Sequence, residues 1–295
     1  MRLKPIVKFL DTCFETQSFV PDSSFESNVR ATYASVPELL PRYATPQFLI
    51  EYSGLMLSNS PEVFKIYTVV FLSREILDKV LELGNRNVLV ITHHPLEMET
   101  SDRGFLPLPE PHFEAMRSNA ASVYSLHDPL DVHKGISTSR ALSSALGVVN
   151  QQPFVDRSPG CVGIYGDVEP LSLGEFLRRV TSVTGVSDLH CIPGQQVVKK
   201  VGIVAGEVDA LAMLEAEQLG CDTYLTGTYY NRVNNSIGAD RRRSFEEVKH
   251  QVNMNIIECS HYASESIVMR RDLPGYLENS IGIATEFIEQ SDPWY

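Results

Sequence analysis

The side chains best suited to chemistry fall in three short runs. Val88-Leu89-Val90-Ile91-Thr92-His93-His94-Pro95 sets two adjacent imidazoles at the end of an apolar stretch. Imidazole is the commonest protein ligand for a transition metal. Adjacent histidines on extended backbone point to opposite sides and rarely chelate one ion together. Where a strand ends and the backbone can turn, each could hold a different ion, so the pair suits a two-metal site. The bland alternative is a turn with two solvated histidines. The second run, His127-Asp128-Pro129-Leu130-Asp131-Val132-His133, adds metal-competent groups at His127, Asp128 and Asp131. In the third, Ser260-His261-Tyr262-Ala263-Ser264-Glu265, the spacing of His261 and Glu265 puts both on one face of a helix. Surface helices often give that spacing by chance.

Each run follows an expected strand. Ile66–Leu72 is rich in β-formers, and Ser73 is a suitable N-cap for a helix through Leu83. Ile76, Leu77, Val80 and Leu81 make its apolar stripe, and Gly84 stops it. With the strand Val88–Ile91 this is a β-α-β unit, which implies parallel strands and a right-handed crossover. Open parallel sheets bind ligands at the carboxyl ends of their strands, where His93 and His94 stand. Glu97–Pro111 reads as a loop over the site, Phe113, Met116 and Arg117 as part of a short helix, and Ser122–Leu126 as the strand before His127. Ser137–Leu146 reads as a helix. Asn150–Gly160 has few apolar residues and reads as a lobe boundary.

A second lobe opens with the strand Cys161–Val168, followed by a capping box at Ser172 and Glu175. The strand Val197–Ala205, the helix Val208–Leu219 and the strand Asp222–Thr226 repeat the β-α-β logic. Arg241-Arg242-Arg243 is expected in a solvated loop ahead of a helix Phe245–Val252, because three cations oppose the dipole at a helix N-terminus. Pairing with an anion is the functional alternative. Asn255–Cys259 is the strand before His261. Residues Met1–Tyr52 carry an amphipathic segment at Ile6, Phe9, Leu10 and Phe14, and no chemistry attaches to them.

At 295 residues the chain can bury a substantial core, as two α/β lobes or one large domain. A formal net charge of −12 argues against a broad nucleic-acid or anionic-membrane surface. The N-terminal apolar run is too short for a secretory signal, and no stretch approaches the roughly 20 apolar residues of a membrane span. Five scattered cysteines with no C-x-x-C are expected as free thiols in a reducing cytosol. The expectation is a cytoplasmic protein with no membrane or nucleic-acid partner.

The segments Ile91-Thr92-His93-His94-Pro95-Leu96, Val123-Tyr124-Ser125-Leu126-His127-Asp128-Pro129-Leu130-Asp131, Tyr224-Leu225-Thr226-Gly227 and Ser260-His261-Tyr262-Ala263-Ser264-Glu265 also carry a resemblance, as does Gly54-Leu55-Met56 upstream. From about residue 46 onward the chain resembles the GTP cyclohydrolase 1 type 2 family of NIF-three-like dinuclear metal-centre proteins. The resemblance implies two divalent ions per subunit. His93 and Asp131 would hold one, His94 and His261 the other, and Glu265 would bridge both. His127 would stand beside the metals as proton carrier or substrate contact. A homohexamer, a ring of dimers with the metal sites facing an inner cavity, is implied too.

The expected fold is therefore α/β, with two interlinked lobes of mostly parallel sheets and a dinuclear metal site in the cleft between them. The first lobe would span 1–155, completed by C-terminal helices at about 263–295, and the second 156–262. Three imidazoles with two carboxylates suit Zn, Fe, Mn, Co or Ni. The absence of thiolates argues against a structural zinc–sulfur site. Two carboxylates against two dications leave a charge of about +2 for hydroxide or an anionic substrate to offset. Two ions roughly 3.5–4 Å apart can activate a water and clamp a phosphoryl or carbonyl oxygen. The expected function is metal-dependent hydrolysis of a small phosphorylated or heterocyclic substrate by metal-activated water, with His127 and Glu265 catalytic. A non-catalytic metal-binding or partner-binding ring scaffold is the alternative. Family members commonly carry an acidic residue after the Thr-Gly, where this chain has Thr228-Tyr229-Tyr230. Gly206-Glu207-Val208-Asp209 replaces a glycine-rich stretch, and Asp128 stands where Thr or Leu is common. None of these departures removes a proposed metal ligand, but the family's substrate contacts, and GTP as substrate, are not carried over.

Overall fold

A computed structural model describes residues 1–19, 21–98, 104–207, 209–231, 233 and 236–293. In chain order, the strands of its two main sheets are β1 (Gly54–Leu57), β2 (Lys65–Phe71), β3 (Val88–His94), β4 (Ser122–Ser125), β5 (Val149–Arg157), β6 (Gly160–Ser172), β7 (His190–Ile192), β8 (Val197–Val204), β9 (Thr223–Thr226), β10 (Asn255–Glu258) and β11 (Thr285–Phe287). The chain divides into two compact units, one of Met1–Glu99, Gly104–His133 and Met269–Ser291 and the other chiefly Lys134–Val268. Its class is α/β.

The first unit is built on a sheet of order β1-β4-β3-β2-β11. Only β1 runs antiparallel to its neighbour. Every residue of β3 is buried, as a central parallel strand covered on both faces requires. The helix Arg74–Glu82 is the crossover from β2 and buries Ile76, Leu77 and Val80. Its N-cap is Ser73, whose Oγ accepts the Ile76 N–H at 3.2 Å. A helix at Leu3–Cys13 buries Leu3, Ile6 and Leu10, and the Tyr124 hydroxyl donates to Asp11 Oδ1 at 2.6 Å. The C-terminal segment completes the unit: β11 pairs with β2, and Thr68 Oγ1 donates to the Met269 carbonyl at 2.7 Å.

The second unit has a sheet of order β5-β6-β8-β9-β10-β7. Its centre, β8, β9 and β10, is parallel, and antiparallel strands flank it on both sides. Helices Leu211–Gln218 and Ser236–Val248 are the connections between the parallel strands. The helix Leu173–Thr184 opens with the Ser172–Glu175 capping box, both of whose bonds are present.

Several local readings change. Asn150–Gly160 is not a boundary loop: most of it is β5, hairpinned to β6. Edge strands turn polar side chains to solvent, so only Phe154 there carries a core signal, at 3% exposure. The two units divide instead at His133/Lys134. Within Glu97–Pro111, Glu97–Met98 pairs with Phe105–Leu106, and positions 99–103 lie outside the described residues. The helix expected at Val208–Leu219 spans Leu211–Gln218, Val208 being outside the description. Arg241, Arg242 and Arg243 lie inside the helix Ser236–Val248 rather than ahead of it, so these three do not oppose the dipole at its start. Arg241 Nη1 is 3.1 Å from Asp209 Oδ2, Arg242 Nη1 donates to the carbonyls of Asn231 and Val233 at 2.8 and 2.9 Å, and Arg243 pairs with Asp240. The five cysteines are free thiols. Among the described residues, no helix is long and apolar enough to cross a membrane.

The capping box gives a direct check on local structure. Ser172→Ala removes a bond that satisfies an orphan helix N–H and should destabilise the protein by about 1 kcal/mol. A lowered urea midpoint at constant slope is the expected result. An unchanged midpoint contradicts the assignment.

Candidate metal centre

In the first unit, the site grows from the carboxyl end of β3. Extended structure continues through His94, and two backbone hydrogen bonds and one from a side chain hold it: Leu126 N–H to the Thr92 carbonyl at 2.9 Å, Leu72 N–H to the His94 carbonyl at 3.0 Å, and Thr92 Oγ1 to that same carbonyl at 2.7 Å. His93 and His94 are buried at 0% and 4% exposure. They do not part as consecutive strand residues usually do. Their ring centroids are 4.6 Å apart at 87°, and His127 lies 4.9 and 5.0 Å from them. Ligand atoms of the three imidazoles all fall within 4.8 Å of one another. Phe25 packs edge-on against His94 and His127, and Phe71 lies against His94, which gives the cluster an apolar wall.

Hydrogen bonding fixes the imidazole tautomer. The Leu126 carbonyl can only accept, so His93 Nδ1 at 2.9 Å must be the donor. In the neutral ring the lone pair then sits on Nε2, which is 3.5 Å from Asp131 Oδ1. A histidine whose other nitrogen is tied to a carbonyl is the usual preparation of a metal ligand. Two donors on one ion, each bound at about 2.0–2.2 Å, lie roughly 3–3.5 Å apart by tetrahedral geometry. The His93–Asp131 pair therefore fits a shared divalent ion.

Carboxylates crowd His127. Its Nδ1 is 3.2 Å from Asp22 Oδ2 and 3.3 Å from Asp128 Oδ1, and its Nε2 is 3.8 Å from Asp131 Oδ2. Burial alone would lower its pKa, but Asp22, followed by Asp128 and Asp131, outweighs burial and pushes it up to about 10. The His127 imidazole is thus held in its charged form by the carboxylates around it. Asp22 comes from a region in which the sequence showed no chemistry. It is 1% exposed, and its Oδ1 accepts the Phe25 N–H at 3.2 Å. Pro21-Asp22-Ser23-Ser24-Phe25 can be read as a helix start, but nothing local announces a partner at His127. His133, from the same run as His127, packs instead against Phe14 and Tyr276.

In the second unit, a parallel arrangement presents His261 and Glu265. Both lie on the helix His261–Ile267, directly after β10. Ser260 caps it, accepting the Ala263 N–H at 3.2 Å from a backbone with φ +74°, and its hydroxyl also bonds Asp292. His261 Nε2 is 3.1 Å from Glu265 Oε1, again a spacing suited to a shared ion.

Two glycines make room for this pair. A Cβ on Gly206, past the end of β8, would stand 2.3 Å from Glu265 Oε1 and 3.2 Å from His261 Nε2, and its φ is +70°. One on Gly227, past the end of β9, would stand 2.5 Å from Ser264 Oγ. Gly206 N–H donates to Ser264 Oγ at 2.9 Å, and its carbonyl accepts from Thr228 N–H at 2.9 Å. Backbone and carboxylate meet here because no side chain separates them.

Two further acids, Glu207 and Glu258, were not among the residues expected to act. Glu207 accepts from Asn231 Nδ2 at 3.0 and 2.7 Å. Burial raises its pKa, against the lowering influence of His261, Asn231 and Arg241. Glu258 is fully buried, and its Oε2 accepts the N–H groups of Tyr229 and Tyr230 at 2.9 and 3.3 Å. Glu207 follows the Gly206 whose spacing departs from the family pattern, and only the fold shows what it meets.

Comparison with known proteins bears on the family and the fold. The profile of the Duf34/NIF3 (NGG1p interacting factor 3) family matches residues 43–293. The GTP cyclohydrolase 1 type 2 homolog of Vibrio cholerae serotype O1 is 24% identical over 260 residues, covering 86% of this chain and 96% of that one. Its namesake from Haemophilus influenzae is 27% identical over 177 residues, covering 59% of this chain and 69% of that one. Among solved structures, the protein ybgI matches with a TM-score of 0.69 at 19% identity, covering 99% of this chain and all of that one. Reduced HcgD from Methanocaldococcus jannaschii matches with a TM-score of 0.60 at 18% identity, covering 88% and 98%. At these identities the structural likeness is one of fold. The profile match spans most of the sequence, and the chain belongs to the Duf34/NIF3 family.

Proposed function

We propose that this protein is a dinuclear metal-dependent hydrolase of a small phosphorylated or heterocyclic substrate. In this reading His93 and Asp131 hold one ion, His94 and His261 hold the other, and Glu265 bridges the two. One observation supports it above the rest: three clustered imidazoles, those of His93 and His94 buried, have ligand atoms within 4.8 Å of one another and carboxylates close beside them, with the His93 lone pair oriented by a backbone carbonyl. Divalent ions bound there would supply Lewis acidity and an activated water. The imidazole donors with carboxylates and no thiolate suit Zn, Fe, Mn, Co or Ni.

The chain's own residues divide the remaining work. His127, held by Asp22 and Asp128, can carry a proton beside the reacting atoms. Nearby dications oppose its charged form, so its proton is most readily given up when the site is filled. Glu265, close against Gly206, keeps a fixed position from which to bridge. Phe25 and Phe71 exclude water from one side of the imidazoles. A homohexamer with these sites facing an inner cavity is part of the same proposal.

Elemental analysis of protein purified without chelators should give close to two divalent ions per subunit. Glu265→Gln should lower that number and reduce hydrolysis across a panel of phosphoesters and heterocyclic amides by about 100-fold or more, the cost of removing a group from acid–base or metal machinery. Native protein without stoichiometric metal contradicts the reading. Full metal with no turnover on any panel member favours the non-catalytic scaffold.

Gly206→Ala tests the close approach in the second unit. Its Cβ collides with Glu265 and the backbone disfavours it, so metal content should fall while the far-UV circular dichroism is retained. Native metal content in this variant contradicts the assigned packing.

A further inference from the structure

The loop after β9 carries a feature that the metal reading does not use. Glu258 ties down the backbone N–H groups of both Tyr229 and Tyr230 from within the sheet. The two rings then diverge. Tyr229 stacks on the buried Phe245 ring at 4.7 Å and 18°. Tyr230 meets the same ring only edge-on, at 6.2 Å and 83°, and is 40% exposed. An exposed tyrosine on a pinned backbone, braced by a second aromatic ring, loses little further freedom when a planar group stacks on it.

Polar groups lie on the same loop and on the helix that carries Phe245. Arg241 and Phe245 are one helical turn apart on the helix Ser236–Val248, so the guanidinium and the aromatic cluster share a helix face. Arg241 engages Asp209 through Nη1, and a guanidinium carries five N–H donors in a fork that suits an anion. The residue after Tyr230 is Asn231, which holds Glu207 through its amide. A stacking surface and a hydrogen-bonding carboxylate thus follow the carboxyl ends of β9 and β8, and the helix that packs Phe245 against the tyrosines also carries a cationic fork.

We propose that Tyr230 is a specificity-determining residue that stacks on the planar ring of a heterocyclic substrate, with Arg241 receiving that substrate's phosphate. The proposal deepens the hydrolase reading and rests on it for the reaction, but not for the binding. Every nucleobase has a π-face, so the platform selects for a ring rather than for one base. A phosphate ester lacking the ring loses the stacking and keeps the contact with Arg241.

Calorimetric titration of the metal-loaded protein with adenosine 5′-monophosphate and with ribose 5-phosphate tests this directly. The nucleotide should bind about tenfold more tightly, within the range of base–aromatic stacking. Tyr230→Ala should abolish that ratio, Tyr230→Trp should preserve it, and Arg241→Gln should weaken both ligands alike. Metal content should be native in all three variants, because none removes a proposed ligand. Equal affinity for the two probes, no measurable nucleotide binding, or an unchanged ratio in Tyr230→Ala overturns the proposal. Failure of the hydrolase reading shows separately, as missing metal or missing turnover with the affinity ratio intact.

Discussion

Three carboxylates, those of Asp22, Asp128 and Asp131, converge on the single imidazole of His127 beside a wall of buried aromatic rings. That imbalance of charge is the constraint on which the first unit's architecture turns. A buried carboxylate costs several kcal/mol unless it is paired or bound to a cation. A protonated His127 offsets part of that charge, and a bound cation would offset more. The neighbouring imidazoles of His93 and His94 bring neutral donors to the same place.

The second unit meets a different constraint, again at the carboxyl ends of parallel strands. There the issue is space. A carboxylate and an imidazole must lie against the backbone where parallel strands end, and Gly206 and Gly227 are the positions at which any side chain would collide. Ser260 accepts an unfavourable φ of +74° to start the helix that carries His261 and Glu265. Non-glycine residues in that region cost energy and persist where surrounding structure over-determines them. The Ala263 and Asp292 bonds of Ser260 provide that restraint.

The parts legible in the sequence were those with local signatures. The apolar run before His93, the Ser73 cap, the Ser172–Glu175 box and the strand preceding His261 each state their structure within a few residues. Their order along the chain gave the α/β class. What escaped was non-local. Asp22 reaches a histidine 105 residues away, and no pattern in its own neighbourhood encodes that pairing. β5 escaped because an edge strand is specified by backbone bonds to β6 and exposes most of its side chains. The arginine run was read from a helix start placed too late, so cations of the helix interior looked like cations opposing a dipole. Glu258 looked like one more strand residue until its contacts with the Tyr229 and Tyr230 amides gave it a role.

The central claim is that two metal ions are held by a defined set of side chains. Anomalous diffraction from crystals of the natively purified protein, collected on both sides of the relevant absorption edge, tests it most directly. The account predicts two peaks roughly 3.5–4 Å apart, one within bonding distance of His93 and Asp131, the other of His94 and His261, with Glu265 reaching both. A single peak, peaks on other residues, or no peak at all would contradict it.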